Sequence, residues 1–335
     1  MTKAAELAKM GEVLTSSQLG GRRNVVINGG FQCWQRATSI TVSGFSADRW
    51  RSTTGAGGAM TVSRQEFALG QTDVPSNPKY FFRHAQTTAF TNTGYNSDRT
   101  RIEDVRTLSG QLCTLSWYMK ADASRTVRVN ITQDFGTGGS PSADVETAIV
   151  SSQAITTSWA EYTVTFTMPS ISGKTIGDDE DSFIELGFDY RAEVNNTFTI
   201  DIANVQLEAG QATPFENRSF GEELRLCQRY FHRWDSAASN YFNIAIGYVL
   251  GANASRAVYQ YPNIMRAAPT IDHSGTFRVY DGTASRAVSD VTFQRTNEEQ
   301  VYISFTTGGD ATANRPCEMG ANNDTTCTID FKAEL

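Results

Sequence analysis

Thr126-Val127-Arg128-Val129-Asn130-Ile131 decides the fold class. Val127, Val129 and Ile131 fall on one face of an extended chain, and Arg128 and Asn130 on the other. That is the period-two pattern of a half-buried strand. The pattern recurs in Glu161-Tyr162-Thr163-Val164-Thr165-Phe166, with Tyr162, Val164 and Phe166 together. It recurs in Thr197-Phe198-Thr199-Ile200-Asp201-Ile202, with Phe198, Ile200 and Ile202 inward. Leu112 to Met119 is less polar, as a strand inside a sheet would be. Gly136-Thr137-Gly138-Gly139-Ser140 and Gly177-Asp178-Asp179 supply turns between such runs. Many short strands with turn punctuation predict an all-β protein with a jelly-roll β-sandwich.

Working outward, Gly221 to Trp234 predicts a helix, because Leu224, Cys227 and Phe231 fall on one stripe. Beyond it, strand signals return. Phe277-Arg278-Val279-Tyr280 followed by Asp281-Gly282 predicts a hairpin, and Val301 to Phe305 runs into Gly308-Gly309. Towards the start, Lys3 to Leu14 predicts a short helix with Leu7, Met10 and Leu14 on one face. A helix so short is marginal alone, so it should pack on a partner. The expected organisation is a helical anchor over 1–23, a jelly-roll domain over 24–216, a helical connector over 217–234 and a smaller β domain over 235–335, the distal tip.

Composition narrows the function classes. Charged residues make up 19% and the net charge is −7, which gives no support to binding a phosphate backbone. No apolar run approaches the roughly 20 residues of a membrane span, so no membrane insertion is expected. The first residues lack the apolar stretch of a secretory signal, which predicts folding in a reducing cytoplasm. Cys33, Cys113, Cys227, Cys317 and Cys327 are odd in number and scattered, unlike a disulfide framework. Cys317 and Cys327 alone are near enough to face each other across a hairpin.

Several ordered blocks carry a resemblance. Asn24-Val25-Val26-Ile27-Asn28-Gly29-Gly30-Phe31 leads to Trp34-Gln35-Arg36 and Ala47-Asp48-Arg49-Trp50. Ile102-Glu103-Asp104-Val105-Arg106 follows, then Phe135-Gly136-Thr137-Gly138 and Ile202-Ala203-Asn204-Val205-Gln206-Leu207-Glu208. Thr213-Pro214-Phe215-Glu216-Asn217-Arg218 through Tyr230 closes the set, with Met265 to Pro269 and Ala333-Glu334-Leu335 beyond. In order and spacing these blocks resemble a family of phage tail-fibre and head-fibre-like proteins. The resemblance implies a virion structural protein, assembled in the host cytoplasm as a homotrimer. Its body would resemble carbohydrate-binding modules and adhere to host-surface polysaccharide. The module likeness also implies a structural calcium site (Ca2+) in which Asn28, Gly29 and Phe31 lie beside Asp201. Gln32 stands where that pattern has an acidic residue, which removes a charged oxygen ligand.

Chemistry-bearing constellations are sparse. His84, His232 and His273 lie in no metal-ligand spacing with one another or with cysteine. No Gly-x-Ser-x-Gly elbow, phosphate loop or dinucleotide fingerprint is present, so no catalytic residues are assigned and no enzyme is expected. Asp178-Asp179-Glu180-Asp181 reads as a solvated loop, with a cation-binding loop as its rival. Glu103-Asp104-Val105-Arg106 and Asp48-Arg49 read as ion-paired. Sugar binding needs aromatic faces with polar groups around them. Trp50, Trp159 and Tyr80 are the candidates, whereas Trp117 lies in an apolar strand and reads as core. Leu7, Met10 and Leu14 would dock the protein onto other virion proteins. Three functions follow: an adhesion fibre, an architectural head decoration or tail adaptor, and a polysaccharide depolymerase, in that order.

Overall fold

The computed structural model describes residues 22–335, apart from 93 and 95. Leu7, Met10 and Leu14 therefore lie outside the described residues. The chain divides into two compact units, one running to Glu223 and taking in Leu335, the other Leu224–Glu334.

The first unit is a jelly-roll sandwich. Its strands are β1 (Ser39–Ile40), β2 (Gly44–Phe45), β3 (Trp50–Thr53), β4 (Ala59–Glu66), β5 (Tyr80–Thr88), β6 (Ser97–Glu103), β7 (Leu112–Ala121), β8 (Arg125–Asp134), β9 (Val145–Ile155), β10 (Ala160–Thr167), β11 (Phe183–Asp189) and β12 (Phe198–Ala209). One antiparallel sheet has the order β1-β4-β5-β12-β7-β10, and the other β2-β3-β6-β11-β8-β9. Val127, Val129 and Ile131 are fully buried, as their alternation predicts, and so are Ile200 and Ile202. They meet Trp117, Phe82 and Phe188 in one core between the sheets.

The opening and closing blocks of this unit are each other's partners. Gly29 O accepts from Val205 N at 2.9 Å, and Leu207 O from Val25 N at 2.9 Å, so residues 25–29 run beside the second half of β12. A Cβ on Gly29 would collide with the Val205 carbonyl oxygen, so only glycine allows this approach. Buried Arg218 fastens the far side. It donates to Val26 O at 3.1 Å and to Asn24 O, and pairs with Glu223 and Glu216, each at 3.2 Å. Glu216 in turn accepts from the backbone N–H groups of Arg23 and Asn24, and Glu223 from that of Asn28 at 2.6 Å.

The predicted helix over 221–234 needs correction. Helix α1 spans Phe220–Gln228, and Phe231–Asp235 is a strand, β13. The stripe that suggested a longer helix is overridden by pairing with a strand remote in sequence. Arg233 grips Asp330 through Nε and Nη2, both at 2.6 Å, across that pair.

The second unit continues with β14 (Asn243–Gly251), β15 (Ala254–Gln260), β16 (Thr270–Ser274), β17 (Phe277–Tyr280), β18 (Ser285–Gln294), β19 (Gln300–Thr307), β20 (Pro316–Ala321) and β21 (Thr328–Lys332). Strands β14-β15-β19-β18-β17-β20 close into a barrel, and β13-β21-β16 form a small sheet. The predicted hairpin is β17–β18, turning at Asp281 and at Gly282 with φ of 83°. All five cysteines are buried free thiols, so Cys317 and Cys327 are not joined.

Candidate functional site

Strand alternation gives every strand of the second sandwich sheet an outward, polar phase. On β3 that phase is Arg51 and Thr53, on β6 Arg99 and Arg101, and on β8 Asn130, Thr132 and Asp134. On β11 it is Phe183, Glu185 and Gly187, while Ile184, Leu186 and Phe188 fill the core. Register lines these groups up across the sheet. Arg51 lies opposite Arg99, Arg99 opposite Gly187 and Gly187 opposite Asn130. A second row runs Arg101, Glu185, Thr132, Glu146.

The result is an open trough of about 670 Å3 on the outer face of this sheet. Gly187 makes room for its neighbour: a Cβ there would press on the Asn130 carboxamide, which lies over the glycine and lines the trough. All seven residues of β11 are buried, including those facing outward, as the floor of a concavity should be. Five strands at roughly 4.8 Å spacing give the trough a length of about 19 Å.

Its electrostatics are balanced but uneven. Glu185 is clamped by Arg99 Nη1 and Arg101 Nε, each at 3.0 Å, and the Arg101 guanidinium lies 4.1 Å over the Phe183 ring. Arg191 Nε donates to Asp189 at 2.7 Å. Arg51, by contrast, is exposed and has no partner among the described residues, although Arg99 faces it directly. Like charges in opposite register are unfavourable, and an anionic group above them would relieve the repulsion. At the other rim, Asp144 has its carboxyl pushed above the usual range by burial and then by Asp134 and Glu185. The set offers forked donors, hydroxyls, an amide and carboxylates, which suits a hydroxyl-rich extended ligand.

The residues nominated from sequence fall elsewhere. Trp50 is not a sugar platform: it is 0% exposed, stacked on Phe188 at 6.3 Å and beside Phe31 at 5.0 Å. Its strand turns Trp50 and Ser52 inward, so its neighbour Arg51 reaches the surface instead. Trp159 is half-buried on the outer face of the other sheet, packed on Phe67 and Phe81 with Lys120 at 5.3 Å. Tyr80 is half-exposed, with the Arg64 guanidinium 4.3 Å over its ring. Neither lines the trough. Trp117 is core, as read.

The calcium expectation also fails on geometry. Asn28 spends its carboxamide inside its own loop, donating to Cys33 O and Asp48 O and accepting from Cys33 N. Asp201 is bound through both oxygens by Arg83 at 2.7 and 2.8 Å, with Lys120 at 3.7 Å. Two cations already neutralise the carboxylate, so these residues do not fit a calcium ion. The acidic run 178–181 folds onto the glycine-rich loop, where Thr137 donates to Asp179 and Asp181. Among the described residues no cluster of three or more His, Cys, Asp or Glu could hold a metal.

Asp104 pairs with Arg106 at 3.2 Å. Asp48 accepts from the backbone and side chain of Gln35, and Arg49 donates to Arg101 O. His84 forms a sealed chain with Asp98 at 3.1 Å, to which Tyr190 donates at 2.6 Å. All three are 0% exposed, so no substrate reaches them. No helix among the described residues is long and apolar enough to cross a membrane.

No family model matches the chain, and no curated protein matches it. Solved structures with partial likeness include the N-terminal cellulose-binding domain of Cellulomonas fimi β-1,4-glucanase C. It is 13% identical and has a TM-score of 0.31, covering 53% of this chain and 97% of that one. A putative sugar-binding protein from Bacteroides thetaiotaomicron is 14% identical with a TM-score of 0.35, covering 56% and 100%. The enzymatically active domain of bacteriophage CBA120 tailspike protein 4 is 13% identical with a TM-score of 0.33, covering 56% and 21%. At such scores the likeness fixes neither ligand nor activity.

Proposed function

We propose that the protein is a non-catalytic glycan-binding component of a phage fibre, and that the trough on the outer face of β3-β6-β11-β8-β9 grips an acidic host-surface polysaccharide. The observation that carries this reading is the trough itself, presenting the unpaired Arg51 beside Arg99. A hydroxyl-rich chain laid across the five strands would meet a polar group at each, and a uronate or similar anion would answer Arg51. Binding rather than cleavage is favoured because both oxygens of Glu185, the buried carboxylate of the floor, are already taken up by two arginines. A catalytic carboxyl must present a free oxygen to the bond it cleaves. The virion role rests on the ordered sequence blocks alone. A trimer anchored through residues 1–20 belongs to the same proposal, since closed symmetry would multiply weak sugar sites into useful avidity.

A glycan array probed with the purified full chain tests it. Acidic glycans are expected to bind, and Arg51→Ala to weaken them about 10- to 100-fold while the melting temperature stays put. Absence of binding at multivalent presentation, or equal binding by Arg51→Ala, would remove the trough reading. Light scattering should give three chains per particle. Release of reducing ends from a bound polysaccharide would make the protein a depolymerase instead.

A further inference from the structure

The outer face of the first sheet carries a second concavity, of about 450 Å3, unrelated to the trough. Its floor comes from Ser116 and Tyr118 on β7 and from Asn204 on β12. Strand β12 slips register against β7 between Ala203 and Gln206, and Asn204 sits in the left-handed region with φ of 49°. A bulge of this kind re-aims a side chain and is found beside binding sites. Here it sinks the Asn204 carboxamide into the pocket. Pro75 stands on one side and Pro214 with Phe215 on the other.

Two polar atoms at this floor lack partners. Asn204 is 3% exposed; its Nδ2 donates to Pro75 O at 3.3 Å, yet its Oδ1 accepts nothing among the described residues. Ser116 is 7% exposed and its Oγ is likewise unpaired. Buried polar atoms are ordinarily satisfied, so two in one concavity point to a group that enters it. Burial, and next the Glu161 carboxylate, push the Tyr118 hydroxyl up to about 12, and its one proton is directed to Glu161. Glu161 at the rim accepts. Acceptors therefore dominate, and the ligand must bring several donors. The rings of Phe215 and Pro214 supply an apolar wall for its C–H face.

We propose that this pocket is a second binding site, for a single neutral sugar residue or a polyol of similar size. It does not depend on the trough reading. The pocket's volume lies at the compact end of the range for small-ligand sites, roughly 300–1,000 Å3. The trough, by contrast, is long, charged and open.

Saturation-transfer NMR on the full-length protein, with methyl β-D-glucopyranoside, methyl β-D-galactopyranoside and ethylammonium as probes, tests the assignment. At least one glycoside should bind saturably with a Kd on the order of a millimolar. Ser116→Leu, which fills the floor, should abolish that binding, and the exposed Glu161→Ala should weaken it several-fold without unfolding risk. Arg51→Ala should leave it unchanged, which separates this site from the trough. The proposal is overturned if neither glycoside binds, if both pocket variants bind as the native protein does, or if ethylammonium alone binds.

Discussion

Arg218→Ala is expected to lower the stability of the jelly-roll unit by about 3–5 kcal/mol. For a unit of this size the melting temperature should fall by roughly 6–20 °C. The side chain is 8% exposed and donates to two backbone carbonyls of the opening block while neutralising Glu216 and Glu223. Truncation leaves Glu223, 5% exposed, as an uncompensated buried charge against the Asn28 N–H. Arg218→Lys keeps the charge but not the fork, so it should recover only part of the loss. Arg218→Met combined with Glu223→Leu should do better than Arg218→Ala alone, because no buried charge is then orphaned. Urea unfolding of the full chain reads all three. A loss below about 1 kcal/mol for Arg218→Ala would mean that the opening block is held by its backbone pairing with β12 instead.

The second large effect is acid sensitivity of the C-terminal unit. His232 stacks on Phe331 and Tyr259, and the pair formed by its Nε2 and the Tyr259 hydroxyl is 2.7 Å apart. Its Nδ1 is buried and without a partner among the described residues. Burial pushes its pKa down to about 4, against the opposing pull of Asp330 and Asp235. The folded value lies below the unfolded one of about 6.5, so the folded state favours the neutral ring. Above pH 6.5 both states are neutral and nothing is lost. As pH falls from 6.5 towards 4, the unfolded chain takes up the proton first, and up to about 3 kcal/mol of stability drains away. His232→Phe should flatten the stability profile in that window. An NMR titration of the His232 ring with a midpoint near 6.5 in the folded protein, or an unchanged slope in the variant, would refute the mechanism.

The apolar phase of 126–131, 161–166 and 197–202 was plain, and it set the sandwich. The trough lay in the other phase of the same pattern: Asn130, Thr132 and Asp134 alternate with the core residues of β8. Arg99 with Arg101 on β6 and Glu185 with Gly187 on β11 do likewise. Aromatic rings single out Trp50 in this stretch, whereas it is the polar neighbour Arg51 that reaches the trough. What sequence could not supply is register. Nothing local says that Gly187 falls between Arg99 and Asn130, because those pairings join segments far apart in the chain. Closure of the second unit into a barrel is non-local in the same way. The bulge at Asn204 was hidden because the segment beside it, with Gly29 against the Val205 carbonyl, comes from the other end of the domain.

The seam between residues 24–29 and 205–223 makes the jelly roll a cassette. Its incoming and outgoing chain segments lie side by side and are latched to each other by Arg218. Such a module can be exchanged whole between chains with little redesign of its flanks. The loops bordering the trough, including the one that carries Asp144, can lengthen at a modest entropic cost while the latch keeps the frame shut. On the proposed reading of the trough, ligand preference can change while the latched ends of the scaffold stay as they are.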